Sequence, residues 1–321
     1  MKYLVTGGAG YVGSVVATML LEAGHEVVVL DDVSTNSDTG VPGGAKLVRD
    51  RVHNAAEILD SSFDGVFHFA GYIAAGESMA KPEIYWDANV IGSLALLEAM
   101  RAAGVANLVF SSSAAVYGNP SQLPVTEKAI TRPTSTYGAN KLTVDYAITN
   151  YCDAYGLAAA SLRYFNVAGA WRDAAGIWHG ERHDPETHLI PLALAAANGD
   201  RDALKLYGED YDTPDGTCVR DYIHVADLAD AHLLALGNQR PGEHRFYNLG
   251  NGNGFSNREV IAAVERVTGL EVPFEKAPRR AGDPATLFAS SDKAAAELNW
   301  RPQKPTLDAI VADAWEFYKH E

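Results

Sequence analysis

Tyr137 and Lys141 stand four residues apart, a spacing that puts both side chains on one face of a helix. An ammonium held near a phenol favours the phenolate. A tyrosine brought from its usual pKa of about 10 toward neutrality becomes a general base, and each unit of that shift needs about 1.4 kcal/mol of differential stabilisation. A Tyr/Lys pair alone is common on helix surfaces. This one follows Ser111-Ser112-Ser113 at the end of a candidate strand, the carboxyl edge where open α/β sheets place their ligands. There the Ser113 hydroxyl can hydrogen-bond the oxygen that Tyr137 deprotonates.

The elements that must position this set begin at the N-terminus. A β-type run, Lys2-Tyr3-Leu4-Val5-Thr6, breaks into Gly7-Gly8-Ala9-Gly10-Tyr11-Val12-Gly13 and then into an apolar-periodic segment reaching about residue 23. Strand, glycines and helix in that order are the context of a dinucleotide fingerprint, with the pyrophosphate on the helix N-terminus. The next strand, 26–31, ends in Asp31, about 20 residues on, where a carboxylate accepts from a ribose hydroxyl and repels a 2′-phosphate. NAD is therefore expected, in preference to NADP. Its oxidised nicotinamide is a second positive charge to favour the Tyr137 phenolate.

Further candidate strands lie at 46–49, 65–70, 107–113 and 158–164, mostly unbroken apolar runs as in strands buried on both faces. Helical patterns alternate with them, including Val90, Leu94, Leu97 and Met100 and a helix over about 135–155. The reading is α/β: a doubly wound, Rossmann-like parallel sheet with a smaller mixed α/β substrate lobe. The expected division is 1–169 with 218–250 for the dinucleotide-binding unit, and 170–217 with 251–321 for the other. Stretches 171–187 and 208–217 read as loops over a site. The two long helices carry apolar faces that cover the sheet, with a further role in a homodimer helix bundle expected.

A net charge of −15 over 321 residues repels nucleic acid and anionic membranes, so neither is an expected partner. No apolar run approaches the ~18 residues that span a bilayer. Two cysteines, Cys152 and Cys218, are too few for a disulfide framework, and the first strand leaves no room for a signal peptide. A cytoplasmic protein is expected. His179, Glu181, His183 and His188 could be taken for metal ligands, but the Gly and Pro around them argue for a solvated loop, and no metal is expected.

These residues resemble the extended short-chain dehydrogenases/reductases, and more narrowly the UDP-hexose 4-epimerase branch. The resemblance covers nearly the whole chain. It rests on the glycine run, Phe67-His68-Phe69-Ala70-Gly71, Gly76-Glu77-Ser78, Ser111-Ser112-Ser113-Ala114, Tyr137 with Lys141, Arg163-Tyr164-Phe165-Asn166, Val219-Arg220-Asp221-Tyr222-Ile223-His224-Val225 and Ala277-Pro278-Arg279-Arg280. The resemblance implies Ser113, Tyr137 and Lys141 as the catalytic set. It implies a cofactor site of Gly7, Gly10, Tyr11, Val12, Gly13, Asp31, Asp32, Asp50, Arg51, Phe69, Ala70, Gly71, Asn89, Lys141 and Phe165, with Asp50 and Arg51 at the adenine. The UDP-hexose would meet Ser113, Tyr137, Asn166, Leu189, Tyr207, Arg220, Arg280, Asp283 and Leu287. Two arginines in an acidic chain suit a diphosphate, whose oxygens match the guanidinium fork.

The activity implied is interconversion of UDP-glucose and UDP-galactose by transient oxidation at C4. Leu287 stands where relatives wall the hexose pocket, a tyrosine admitting plain hexoses and a small residue 2-N-acetylated ones; leucine implies secondary activity on UDP-N-acetylhexosamines. Three residues depart from the pattern. Ile73 stands for a cofactor-contacting lysine, Ala115 for a hydroxyl residue near the hexose, and His188 for a common asparagine. Two alternatives stay open: a nucleotide-sugar dehydratase or decarboxylase, although Ala114-Ala115 lacks a dehydratase's acid/base pair, and a non-catalytic NAD(H) or nucleotide-sugar sensor.

Overall fold

The computed structural model describes residues 1–35, 40–183, 185–280 and 283–320. Strand β1 (Lys2–Thr6) passes through the glycines into helix α1 (Tyr11–Glu22), followed by β2 (Glu26–Asp31), β3 (Lys46–Arg49) and β4 (Gly65–His68). Short helices α2 (Ala75–Ala80) and α3 (Pro82–Tyr85) run through a π-helical turn, Trp86–Ile91, into α4 (Gly92–Ala103). Then come β5 (Asn107–Ser113), a 3-10 turn at Ala114–Tyr117, α5 (Thr136–Tyr155) and β6 (Ala158–Tyr164). Ser135 starts α5 by accepting the Gly138 N–H at 3.1 Å, and Gly156 ends it in the left-handed conformation, a polar N-cap and a glycine stop.

The second half holds β7 (Asn166–Ala168), β8 (Trp171–Arg172), β9 (Trp178–His179), α6 (Leu189–Asn198), β10 (Leu204–Tyr207) and β11 (Val219–His224). After them lie α7 (Val225–Gly237), β12 (His244–Leu249), β13 (Gly254–Ser256), α8 (Asn257–Thr268), β14 (Phe274–Ala277), β15 (Thr286–Leu287), α9 (Asp292–Glu297) and α10 (Leu307–His320).

Seven parallel strands form one sheet in the order β12-β6-β5-β4-β1-β2-β3. The chain starts in the middle and winds out both ways, so β1 and β4 diverge at a switch point where ligands bind. Apolar side chains cover both faces: Val15, Leu20 and Leu228 on one, Leu96, Met100 and Ile148 on the other. A third core joins Ile190, Leu194, Val260, Val264 and Ile310 in the smaller part.

The structure moves several expected boundaries. β4 stops at His68 because the next free amide, of Ala70, turns to the Thr6 hydroxyl at 3.4 Å. The 171–187 loop contains the β8–β9 hairpin. Strands β7 and β11, counted with the dinucleotide unit, pair with each other, and β11 also pairs with β13 and β15 in a separate small sheet. Conversely Ala294, Leu298 and Trp300, counted with the substrate unit, pack into the large sheet's core. These exchanges bring residues far apart in sequence to the sheet's carboxyl edge.

Candidate active site

Packing fixes the glycine run between β1 and α1. Gly7 has φ +71, and a Cβ there would stand 2.5 Å from the Ala70 nitrogen, while one on Gly13 would collide with the Gly7 carbonyl oxygen. Gly10 is the N-cap of α1 with no side-chain cap and no acid in the first turn. The helix therefore presents bare amides and its positive end. Asp31 closes the cradle, its two oxygens accepting the Ala9 and Val33 amides at 2.9 Å each; burial pushes its carboxyl up against the pull of those amides. Asp32 accepts from the Ser34 amide at 3.0 Å, and the buried Tyr11 hydroxyl donates to the Gly169 carbonyl at 2.5 Å.

The neighbouring walls are equally built. Asn89, on the π-helical turn, holds the loop after β4 by accepting the Tyr72 amide at 2.8 Å and donating to the Tyr72 carbonyl at 3.0 Å; such turns often mark functional positions. That clamp fixes Ala70 and Gly71 against the glycine loop, while Phe69 tilts onto the ring of His232. Asp50 accepts the Arg51 amide at 2.7 Å, but the Arg51 guanidinium is paired with Asp87 at the surface. Ile73 is exposed.

The catalytic candidates converge. Tyr137 lies in the first turn of α5, and its backbone amide donates to the buried Ser78 hydroxyl at 3.0 Å, a positioning contact for the Gly76-Glu77-Ser78 motif that no local pattern signals. Ser113 ends β5 and accepts the Ala115 amide at 3.1 Å. Burial raises the Tyr137 phenol, and a hydrogen bond with Ser113 pulls the other way. Lys141 is buried one turn further along α5. Its Nζ donates to the Ser111 carbonyl at 2.7 Å and lies 5.8 Å from the centre of the Tyr137 ring. Burial pulls its ammonium down to about 8, against Asp145. The sequence expectation has Lys141 and the oxidised nicotinamide together favour the phenolate; in the chain alone, burial holds the phenol up.

Beneath the edge lies a buried network whose functional weight the motifs concealed. Arg163 pairs with Asp145 at 2.9 Å and donates to Tyr117 Oη at 3.1 Å. Tyr117 donates in turn to Asn248 at 2.7 Å, and Ser112 donates to Asp145 at 3.2 Å. Strands β5, β6 and β12 are thereby locked where Ser113 emerges. A buried network of this kind rigidifies when its members are paired.

Strand β11 gathers the second wall. Its register sets Arg220 beside Leu287 and Tyr222 beside Asn166. Arg220 Nη2 lies 3.7 Å from Asp283, and the Arg280 guanidinium stacks 4.2 Å above the Tyr207 ring. Leu287 and Phe165 both pack on the cluster of Ala114, Val116 and Tyr117 that follows Ser113. Leu189 opens α6. Asp221 and His224 of the same motif serve as joints: Asp221 accepts the Ala289, Asn251 and Gly252 amides at 3.0, 2.6 and 3.2 Å, and His224 caps α7 and reaches Asp313 on α10 at 3.0 Å.

The described residues between β9 and α6 form a loop, with His188 45% exposed. His179 turns away to Asp173 at 3.0 Å, whereas Glu181, His183, Glu186 and His188 converge and Glu181 is 7% exposed.

A glycine-cradled parallel sheet with serine, tyrosine and lysine at its carboxyl edge defines a dinucleotide-dependent enzyme of the extended short-chain dehydrogenase/reductase class. Residues 3–250 match the NAD dependent epimerase/dehydratase family, and the chain belongs to it. It is 58% identical to a UDP-glucose 4-epimerase of Streptomyces lividans, over 99% of this chain and 96% of the relative. Among solved structures, a UDP-glucose 4-epimerase from Brucella ovis in complex with NAD superposes with a TM-score of 0.92, at 42% identity and 98% coverage of both chains. One from Bifidobacterium longum in complex with NAD+ and UDP gives 0.91, at 36% identity, covering 100% of this chain and 99% of that one.

Proposed function

We propose that this chain is an NAD-dependent UDP-glucose 4-epimerase that interconverts UDP-glucose and UDP-galactose. The single observation that carries the reading is the convergence of Ser113, Tyr137 and Lys141 beside a second wall bearing Arg220, Arg280 and Asn166, in a chain 58% identical to such an enzyme. The glycine cradle fits a pyrophosphate: Gly7 and Gly13 leave no room for a side chain and α1 offers unpaired first-turn amides. Asp31 suits a ribose with a free 2′-hydroxyl.

NAD, when bound, supplies acceptance of a hydride from C4 of the hexose and its return to the opposite face of the sugar. Tyr137 takes the proton of the 4-hydroxyl as the hydride leaves and gives it back on return. Ser113 hydrogen-bonds that oxygen and holds the phenol in line. Lys141, fixed by the Ser111 carbonyl, contributes positive charge beneath the Tyr137 ring. Arg220 and Arg280 take the diphosphate, and Asn166, Leu189, Tyr207 and Asp283 complete the nucleotide site. Leu287 walls the hexose and leaves room for secondary turnover of UDP-N-acetylhexosamines. Because C4 is oxidised and then reduced, net redox change is zero and the cofactor is retained.

The working form is a homodimer, supported by apolar side chains left exposed around α4 and α5: Trp86, Ile91 and Tyr146. Among the described residues no helix is long and apolar enough to cross a membrane; two buried free thiols, Cys152 and Cys218, fit a reducing cytoplasm. Incubation of the purified protein with UDP-galactose and NAD should yield UDP-glucose with no accumulation of reduced cofactor. A dehydrated or decarboxylated product, or none, would overturn the reading.

A further inference from the structure

The turn leading into α6 carries Glu181, His183 and Glu186, which have no part in the epimerase reading, and His188, which stands where the resemblance has an asparagine. One ligand atom from each comes together, all within 4.8 Å of one another. His183 Nδ1 is 3.0 Å from Glu181 Oε1 and 3.9 Å from Glu186 Oε2, and His188 Nδ1 is 2.6 Å from Glu181 Oε1 and 3.1 Å from Glu186 Oε1. Zinc bonds to imidazole and carboxylate are about 2.0–2.2 Å, so the edge of a tetrahedron around the ion is about 3.3 Å. The four separations straddle that value.

Hydrogen bonding leaves the set incomplete. His183 Nδ1 is buried with no hydrogen-bond partner among the described residues, so its approach to the two carboxylates is proximity without a bond. Glu186 is held from behind: its Oε1 accepts the amides of Thr187 and His188 at 2.5 and 2.7 Å, the outer support that orients a metal-binding carboxylate. The cluster opens on a cavity of about 580 Å³ between the loop after β2, at Ser34, and α10, at Phe317, which gives an ion a route in. Two carboxylates balance a divalent charge once His188, held in its charged form between Glu181 and Glu186, yields its proton to the ion, and soft ligands are absent from the set. That composition favours zinc, cobalt or nickel over magnesium or calcium.

We propose that Glu181, His183, Glu186 and His188 form a four-ligand site for one divalent transition-metal ion of the zinc class. The ion is structural: it ties the turn before α6 into one piece and sets the helix start at Leu189. It lies outside the hydride and proton transfers, so the inference stands whether or not the epimerase reading does.

The test uses the full chain, stripped with a chelator and titrated with Co2+, followed by Zn2+. One equivalent of Co2+ should bring up the visible bands of a tetrahedral site and Zn2+ should bleach them, while Zn2+ raises the melting temperature of the stripped protein. His183→Gln and Glu186→Gln, each checked for native circular dichroism, should weaken Zn2+ binding by about 100-fold or more, since even outer-shell losses cost 10–100-fold. The wild-type titration reads the site even if a variant fails to fold. Absence of a one-equivalent tetrahedral spectrum in the wild type, or an unchanged titration in folded His183→Gln, would overturn the proposal.

Discussion

In the proposed mechanism Tyr137 acts through one oxygen, and its surroundings divide the work of holding it. Ser78 fixes the backbone, Ser113 engages the hydroxyl, and Lys141 is anchored on the Ser111 carbonyl. Removing only the oxygen should then leave the rest of the site standing. In Tyr137→Phe, UDP and NAD are expected to bind as in the wild type while kcat falls by about 100-fold or more. Calorimetric titration of both nucleotides beside steady-state rates checks this, and wild-type turnover would sink the mechanism.

At the scale of elements, the proposed sugar selection rests on the two-residue strand β15. Its pairing to β11 puts Leu287 beside Arg220 and against the Ala114–Tyr117 turn, so the side chain faces the segment that follows Ser113. Leucine has no hydroxyl to fix it and can change rotamer at a cost of about 1 kcal/mol. Leu287→Tyr should therefore lower kcat/KM for UDP-N-acetylglucosamine by about 10-fold or more and leave UDP-galactose near its original value. Equal losses on both substrates would mean that the residue supports the small sheet and does not select the sugar.

Two properties belong to the molecule as a whole. The first is its response to acid. His68 is buried between the Thr6 and Ser93 hydroxyls, at 2.6 and 2.8 Å, and burial, helped by Lys141, lowers its pKa from 6.5 to about 3. Between those values the unfolded chain binds the proton and the folded one does not, so this group's stabilisation is full above pH 6.5 and drains away toward pH 3. About 2 kcal/mol of it is gone by pH 5. His68→Gln should lose less stability than the wild type between pH 7 and 5 in urea unfolding; parallel losses would rule the mechanism out. The second is assembly. Ile91 is 53% exposed at the junction with α4, and Ile91→Glu is expected to convert a two-chain species to one chain in light scattering. A wild type that is already monomeric would exclude the dimer.

The sequence alone determined the α/β class, the strand–glycine–helix cradle, and the presence of Ser113, Tyr137 and Lys141, because these depend on local chemistry: the turn's lack of side chains, unbroken apolar runs, and a four-residue helical spacing. It could not determine how distant pieces exchange between layers. That β11 joins β7, β13 and β15, while Trp300 returns to the large sheet's core, follows from packing of segments that share no local pattern. The same limit governed the side chains. Arg163, seen in the sequence only within a motif, is the buried partner of Asp145, and Arg51, which the resemblance puts at the adenine, also pairs with Asp87. Lys141 shares a helix face with Tyr137, yet its ammonium is directed by a carbonyl on β5. Charge placement and desolvation are set by what a third element brings alongside, so only the tertiary structure decided them. Before α6 it likewise drew Glu186 to Glu181, His183 and His188, three side chains that the Gly and Pro around them had assigned to a solvated loop, and left His179 with Asp173.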